Sequence, residues 1–271
     1  MVISYFLRVV FPPPPSLLVN AVSIVTLLCL IAGGYMEIGG KSKQYAKFFD
    51  PNTNKISKVE ENRKLLRSRH GMLIFYTPSF IVGLVAFAIF PYQNLRFLIL
   101  LYVLNIHFFK RILEVVFIHK FSGFMMRNVA ITIGLSYTVS TATMIYAQYL
   151  SRESPEPCVD LKYVGEGMFL IGIIGNFYHH YILSKLRKNG NKEYKIPTGA
   201  LFDLVICPHY FFEIVEFIGV SCISQTMFSF CFTLGTIFLL IGRSHATRKW
   251  YILKFGETFR KDIKAIVPYF F

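Results

Sequence analysis

Three groups of ionisable and amide side chains sit in or beside strongly apolar stretches, each at a spacing that suits chemistry. In "NIHFFKRILEVVFIHKFSG" (105–123), His107, Lys110, Arg111 and Glu114 share a helical face at i, i+3, i+4 and i+7. In "GNFYHHYILSKLRKNG" (175–190), Asn176, His180 and Arg187 fall within about 40° of one another on a helix, a polar stripe descending into a basic segment. In "YKIPTGALFDLVICPHYFFEIVEFIG" (194–219), His209 and Glu213 stand at i, i+4, Tyr210 and Glu213 at i, i+3, and Glu216 follows. Ionisable groups are costly at membrane depth, so they face a bundle interior or a cavity. There they could grip a charged ligand, bind hydroxyls or amides, or move a proton. The plainer alternative is structural. Lys110 and Glu114 suit an ordinary helical ion pair, and Arg187 could simply reach the surface. His209 and Glu213 could ligate a metal, but "HYFFE" lacks the two histidines that flank the glutamate of a zinc protease, and no metal is expected.

The elements that must carry these groups are membrane helices. Of 271 residues, 54% are apolar, 17% aromatic and only 16% charged, with mean hydropathy +0.49. A soluble domain of this length carries roughly 25% charged residues. Apolar runs of about 18–22 residues point to an all-α polytopic bundle of about seven transmembrane helices forming one membrane domain, 1–271. The expected spans are 16–34, 72–90, 95–109, 128–150, 164–183, 201–221 and a short 226–241. Pro208 interrupts the sixth, freeing backbone groups that need partners. The segment 40–71 reads as a polar linker, partly helical from Ser57 to Arg69, and Tyr194, Lys195 and Pro197 as an ordered turn. The N-terminus, with Arg8 and the run "PPPP", does not look like a cleavable signal, so the first span is expected to be retained.

Charge sets the orientation. The segments 35–71, 110–127, 184–200 and the tail after 241 hold 25 of the 29 lysines and arginines. The positive-inside rule puts these in the cytosol and the N-terminus across the membrane. The net charge of +14 is then mostly topological, although an anionic cofactor or headgroup on the cytosolic side fits it too. No basic recognition helix or aromatic sheet motif suggests nucleic acid. The five cysteines show no paired spacing and read as reduced apolar side chains. "GEGMFLIG" (165–172) is not the dinucleotide fingerprint, and neither a Walker A loop nor G-x-S-x-G occurs. Any nucleotide would be held by helices and cytosolic loops.

In this order, the clusters resemble the steroid 5-alpha-reductase family, which includes very-long-chain enoyl-CoA and polyprenol reductases. "YHHYILSKLRK", "YKIPTGALFDLVICPHYFFEIVEFIG" and "RKWYILKF…AIVPYFF" carry the likeness, which is strongest over 118–271. "HFFKRILEVVFIHKFSG" looks closest to the enoyl-CoA branch, "YTPSF" (76–80) resembles the second-helix segment, and the "MVISYFLRVVFPPPPSLLV" start resembles a plant steroid-reductase-like subgroup. The resemblance implies a multi-pass protein of the endoplasmic reticulum membrane, N-terminus lumenal and C-terminus cytosolic. It implies NADPH as hydride donor and a lipid substrate, a steroid or an enoyl-CoA, whose carbon–carbon double bond is conjugated to a carbonyl. Carried over by position, Asn176, His180, Arg187, Tyr194, Lys195, His209, Glu213, Arg243 and Tyr251 match cofactor-binding residues. Lys110 and Tyr210 match the catalytic pair of the enoyl-CoA branch, with Tyr210 as proton donor and Lys110 supporting charge. Phe75, Tyr76 and Phe108 depart from the Gln-Glu and tyrosine of animal steroid reductases, so Tyr76 is the candidate donor to a ketone. His180 stands where the family carries aspartate. Two other classes compete: an isoprenylcysteine methyltransferase type, against which "KWYILKF" replaces the expected arginine-proline-tyrosine region, and a non-catalytic lipid-binding protein.

Overall fold

A computed structural model describes residues 8–14, 16–41, 48, 65–90, 94–121, 123–187 and 193–268. Among these, seven α-helices follow in order: α1 (Leu17–Ile38), α2 (Ser68–Ile89), α3 (Leu95–Leu113), α4 (Arg127–Leu150), α5 (Lys162–Lys185), α6 (Pro208–Ser224) and α7 (Met227–Phe255). Four of them, α1, α2, α4 and α7, are long and apolar enough to cross a membrane. The other three, α3, α5 and α6, do not meet that measure, and they are the helices that bear the polar clusters. The chain is therefore a mostly helical bundle of membrane type.

Local chemistry explains several boundaries. Asn94 caps α3, its side-chain oxygen accepting from Phe97 N at 2.9 Å. Lys110 and Arg111 occupy the last turn of α3, where cations favour the helix dipole. Pro208 does not interrupt a span, as the sequence suggested; it starts α6, at the position where its missing N–H is one of the unpaired donors anyway. α7 is not short: it runs 29 residues to Phe255, with Arg243, Ser244 and Thr247 beyond Ile241 buried against protein. The expected helix over 57–69 falls partly outside the described residues. The rest of it is a strand, β1 (Leu65–Arg67), paired antiparallel with β2 (Phe124–Met126), Leu66 opposite Met125, before α2 begins at Ser68. Residues 193–198 are irregular and not a turn.

Helix packing follows the chain's small residues. α5 lies along α6, α1 along α7, and α2 along α4. Lipid offers no hydrophobic drive for such pairs, so close backbone approach matters. Gly242 on α7 lies against the Gly34 carbonyl on α1, where a Cβ would collide with backbone. Pro78 inside α2 removes the donor that would have met the Ile74 carbonyl, and Gly134 lets α4 come against that same carbonyl. One core joins α3 with α5, α6 and α7 through Leu100, Leu104, Phe169, Phe217 and Phe228. A second surrounds Phe75, Tyr76, Phe108 and Met125 between α2, α3 and α4.

One end of the bundle is clamped by Arg96, 1% exposed. It donates to Glu156 at 2.6 Å, Asp160 at 2.7 Å, Gln225 Oε1 at 2.8 Å and Ile223 O at 2.7 Å. Burial works against ionisation of Asp160, but hydrogen bonds from Lys162 and the charge of Arg96 outweigh it and hold its carboxyl at about 2.

Candidate active site

The site is built where α3 ends. Its last turn passes into a π-helical turn, Glu114–Ile118, closed by His119 N donating to Glu114 O at 2.7 Å. That wider turn folds His119 back toward Glu114 and, across to α5, toward His180: the two histidine rings are 4.9 Å apart. Glu114 is 1% exposed and is the hub. Its carboxylate accepts from Arg111 at 2.8 Å, lies 3.2 Å from Lys110 Nζ, and stands 3.1 Å from His180 Nδ1. Arg111 Nη1 is itself 3.0 Å from that His180 nitrogen. Nδ1 serves one of them at a time, donating to Glu114 as N–H or accepting from Arg111 as a bare nitrogen.

Glu114, His119 and His180 offer ligand atoms that all lie within 4.8 Å of one another, the geometry of a metal set. The Arg111 guanidinium contacts both Glu114 and His180, so a cation already occupies the role a metal would take there. His119 lies beyond the helix. Burial first, then neighbouring His180 and Arg111, push its imidazole down to about 2, against the opposing pull of Glu114.

Beside this hub, Lys110 donates to the side-chain oxygen of Asn176. Asn176, 1% exposed, donates in turn to His209 O at 2.8 Å, with Glu213 3.5 Å away. Two cavities open from here. The first, about 280 Å³, is lined by His180, Arg187, Tyr194, Lys195, His209 and Tyr251, together with His119 and Lys120. The second, about 180 Å³, is more enclosed; Tyr76, Tyr137, Glu213, Phe217, Glu37 and Arg243 line it. Met72, Arg111 and Tyr210 line both. The first cavity is basic and aromatic: Arg187 lies 4.6 Å over the Tyr194 ring, and Tyr194 packs edge-on against Trp250 at 4.9 Å. Lys120 Nζ donates to Arg187 O and Arg187 Nη1 to Lys120 O, at 2.8 and 2.7 Å, so two loops are laced across its rim.

The sequence-derived candidates thus divide. Six cofactor candidates surround the first cavity, Glu213 and Arg243 reach the second, and Asn176 lies buried among them without lining either. Tyr76 and Tyr210 meet a cavity; Lys110 lines neither, and its described contacts run to Asn176 and Glu114 and not to Tyr210. His107 and Glu216 form a separate buried pair, Nδ1 to Oε1 at 2.6 Å. Arg111 lies on the face that helical spacing indicates, and His119 and Glu37, absent from the sequence-derived candidates, also line the cavities. Glu37 had a usable signal, being the only charged residue of α1. His119 had none, because its approach depends on the π-turn.

Comparison with known proteins decides the lineage. Residues 124–271 match the model of the 3-oxo-5-alpha-steroid 4-dehydrogenase family. The chain belongs to that family. A very-long-chain enoyl-CoA reductase of Dictyostelium discoideum is 33% identical over 166 residues, 61% of this chain and 55% of that protein. A steroid 5-alpha-reductase of Gossypium hirsutum is 40% identical over 104 residues, 38% of this chain and 40% of its own. The human 3-oxo-5-alpha-steroid 4-dehydrogenase 1 is 38% identical over 108 residues, 40% of this chain and 41% of its own. The chain spans only about half the length of the curated relatives it matches. All these relatives are named as oxidoreductases of lipid substrates, and the family match covers α4 to α7 together with the lining residues from His180 to Tyr251. Arg111, Glu114 and His119 lie before the matched region.

Proposed function

We propose that this chain reduces, at the expense of NADPH, a carbon–carbon double bond conjugated to a carbonyl in a lipid. A 3-oxo-Δ4 steroid is placed ahead of a trans-2-enoyl-CoA. The observation that carries the reading is the pair of cavities with a common wall: a basic, aromatic one and a more enclosed one, both lined by Arg111 and Tyr210. Such a pair suits a charged dinucleotide on one side and an apolar substrate on the other. The donor set fits a phosphate-bearing cofactor, since Arg187 and Lys195 offer charge-assisted hydrogen bonds and Tyr194 and Tyr251 offer ring faces. When bound, NADPH supplies a hydride; the chain binds, orients and polarises.

In this reading the substrate's β-carbon takes the hydride, and the double-bond electrons move onto the carbonyl oxygen as an enolate. The α-carbon is then protonated. Tyr210 stands at the common wall as the proton donor, and Tyr76 donates a hydrogen bond to the carbonyl oxygen. Lys110 acts from behind, through Asn176 and Glu114. The family's name and two of the relatives support the steroid; the enoyl-CoA alternative is favoured by "HFFKRILEVVFIHKFSG" and by the longer alignment with the Dictyostelium reductase. The proposed setting is the endoplasmic reticulum membrane, with the basic cavity and the C-terminus cytosolic, as the charge asymmetry supports.

The protein in lipid nanodiscs is titrated with NADPH, with S-adenosylmethionine and with buffer, then offered each substrate. Saturable NADPH binding and NADPH oxidation with either substrate support the proposal. Binding of S-adenosylmethionine alone would replace it with a methyltransferase. NADPH binding without oxidation in the presence of either substrate would move the substrate to another unsaturated lipid such as a polyprenol.

A further inference from the structure

The candidate ketone donor, Tyr76, is not alone in its cavity. Arg111 Nη2 donates to the Tyr76 hydroxyl oxygen at 2.7 Å, and the guanidinium carbon lies 4.9 Å from the centre of the ring. Arginine only donates. The Tyr76 oxygen therefore acts as acceptor toward Arg111, and its own O–H proton is directed to a different acceptor. The tyrosine ring is fixed by an aromatic surround: Tyr137 stacks on it at 5.9 Å, and Phe75 meets it edge-on at 6.0 Å. Arg111, 8% exposed, is fixed by Glu114 and His180 and lines both cavities.

We propose that Arg111 is a positioning residue for the reduction: it holds Tyr76 so that the hydroxyl proton meets the substrate's carbonyl oxygen, and it sets a positive charge behind that oxygen as the enolate forms. The proposal rests on the double-bond reductase reading and names the device that recognises the carbonyl. As hydride reaches the β-carbon, the alkene pair becomes the new Cα=C bond and the carbonyl pair goes to oxygen. The anionic charge develops on the atom that Tyr76 meets. Tyr76 keeps its proton throughout, and the α-carbon is protonated separately from Tyr210 or water.

Charge accounting favours this. Among the described ion pairs, Lys110 and Arg111 share the carboxylate of Glu114, while Glu213 lines the cavity without a described ion pair to either. A developing oxyanion near Tyr76 thus adds a partner for Arg111 without displacing one. A donor preorganised toward developing charge in an enclosed site acts mainly on the transition state. Phe75 and Phe108 offer no donor of their own in this aromatic surround; they wall the tyrosine in place.

The test is kinetic, on full-length protein with NADPH and whichever of the two substrates the wild type reduces. NADPH affinity is measured separately by fluorescence. Tyr76→Phe is expected to lower kcat on the order of 100-fold with NADPH affinity and substrate KM little changed. Arg111→Met should fall by a similar factor, and Tyr76→Phe with Arg111→Met should fall no further than either alone, because the two act as one unit. Arg111→Lys should recover part of the loss. Should Arg111→Met fail to fold, Tyr76→Phe and Arg111→Lys decide between the outcomes. Unchanged kcat in Tyr76→Phe, multiplied losses in the double variant, or an Arg111→Lys variant that binds NADPH and shows none of the recovery would each overturn the proposal. A wild-type protein that neither binds NADPH nor reduces either substrate refutes the reductase reading itself, a result that no variant comparison can mimic.

Discussion

Arg243 and Glu37 form a buried ion pair across the bundle, with Nη1 of Arg243 donating to both carboxylate oxygens of Glu37 at 2.9 Å. The residues come from opposite ends of the chain, α7 and α1, and are 5% and 4% exposed. Both line the second cavity. Arg243, a cofactor candidate in the sequence, therefore also ties the first helix to the last. Removing one partner of such a pair leaves a buried charge exposed to a poor environment. Glu37→Ala is expected to destabilise by about 3–5 kcal/mol, whereas pairing it with Arg243→Leu should restore much of the loss. Thermal unfolding in detergent checks this; equal losses in the single and double variants would show that the pairing does not stabilise.

Close packing of α1 on α7 rests on glycine. Gly242→Val puts branched carbon against the Gly34 backbone, so the helices must separate. That separation also stretches the Glu37–Arg243 pair. A lower unfolding temperature is expected for Gly242→Val, with a smaller loss for Gly33→Ala, which meets only the end of the Leu239 side chain. Equal effects at the two positions would contradict the close approach.

Acid should weaken the 119–121 loop. The His119 imidazole, ordinarily near 6.5, is held down to about 2 by burial and then by neighbouring His180 and Arg111. Between those values the unfolded chain binds a proton that the folded chain does not. Stability is thus complete above about 6.5 and falls as pH drops below it. His119→Asn should lose less stability than the wild type between pH 7 and pH 5. Identical pH dependence in both proteins, by thermal unfolding, would remove His119 from the account.

Arg187 and Lys195 should make NADPH preferred over NADH, since a 2′-phosphate gains charge-assisted hydrogen bonds from them. Lys188, also in this basic set, lies outside the described residues. Arg187→Ala is expected to weaken NADPH about 10-fold more than NADH, the effect of one such bond. Titration at physiological salt measures it, and equal weakening of both cofactors would locate the preference elsewhere.

The sequence by itself determined the class of molecule and the polar residues that its apolar helices carry inward. Apolar runs and scarce charge specify a membrane bundle, because lipid tolerates only segments whose backbone is satisfied internally and continuous apolar runs of this length suit helices. Helical spacing put His107, Lys110, Arg111 and Glu114 on one face, and the described contacts of Lys110 and Arg111 indeed run inward to Asn176, His180 and Tyr76. What spacing along one helix cannot convey is the partner across the bundle. The Arg111–Tyr76 bond spans 35 positions and the Arg243–Glu37 pair 206, distances over which no local periodicity operates. Pro208 shows the same limit at short range: its ring suits either a break within a span or the first turn of a helix, and the packing of α6 on α5 selects the latter. Tertiary structure alone decided which polar side chains face each other, because that choice is made by the close approach of backbones at Gly242 and Gly134 and by the π-turn that folds His119 back on Glu114.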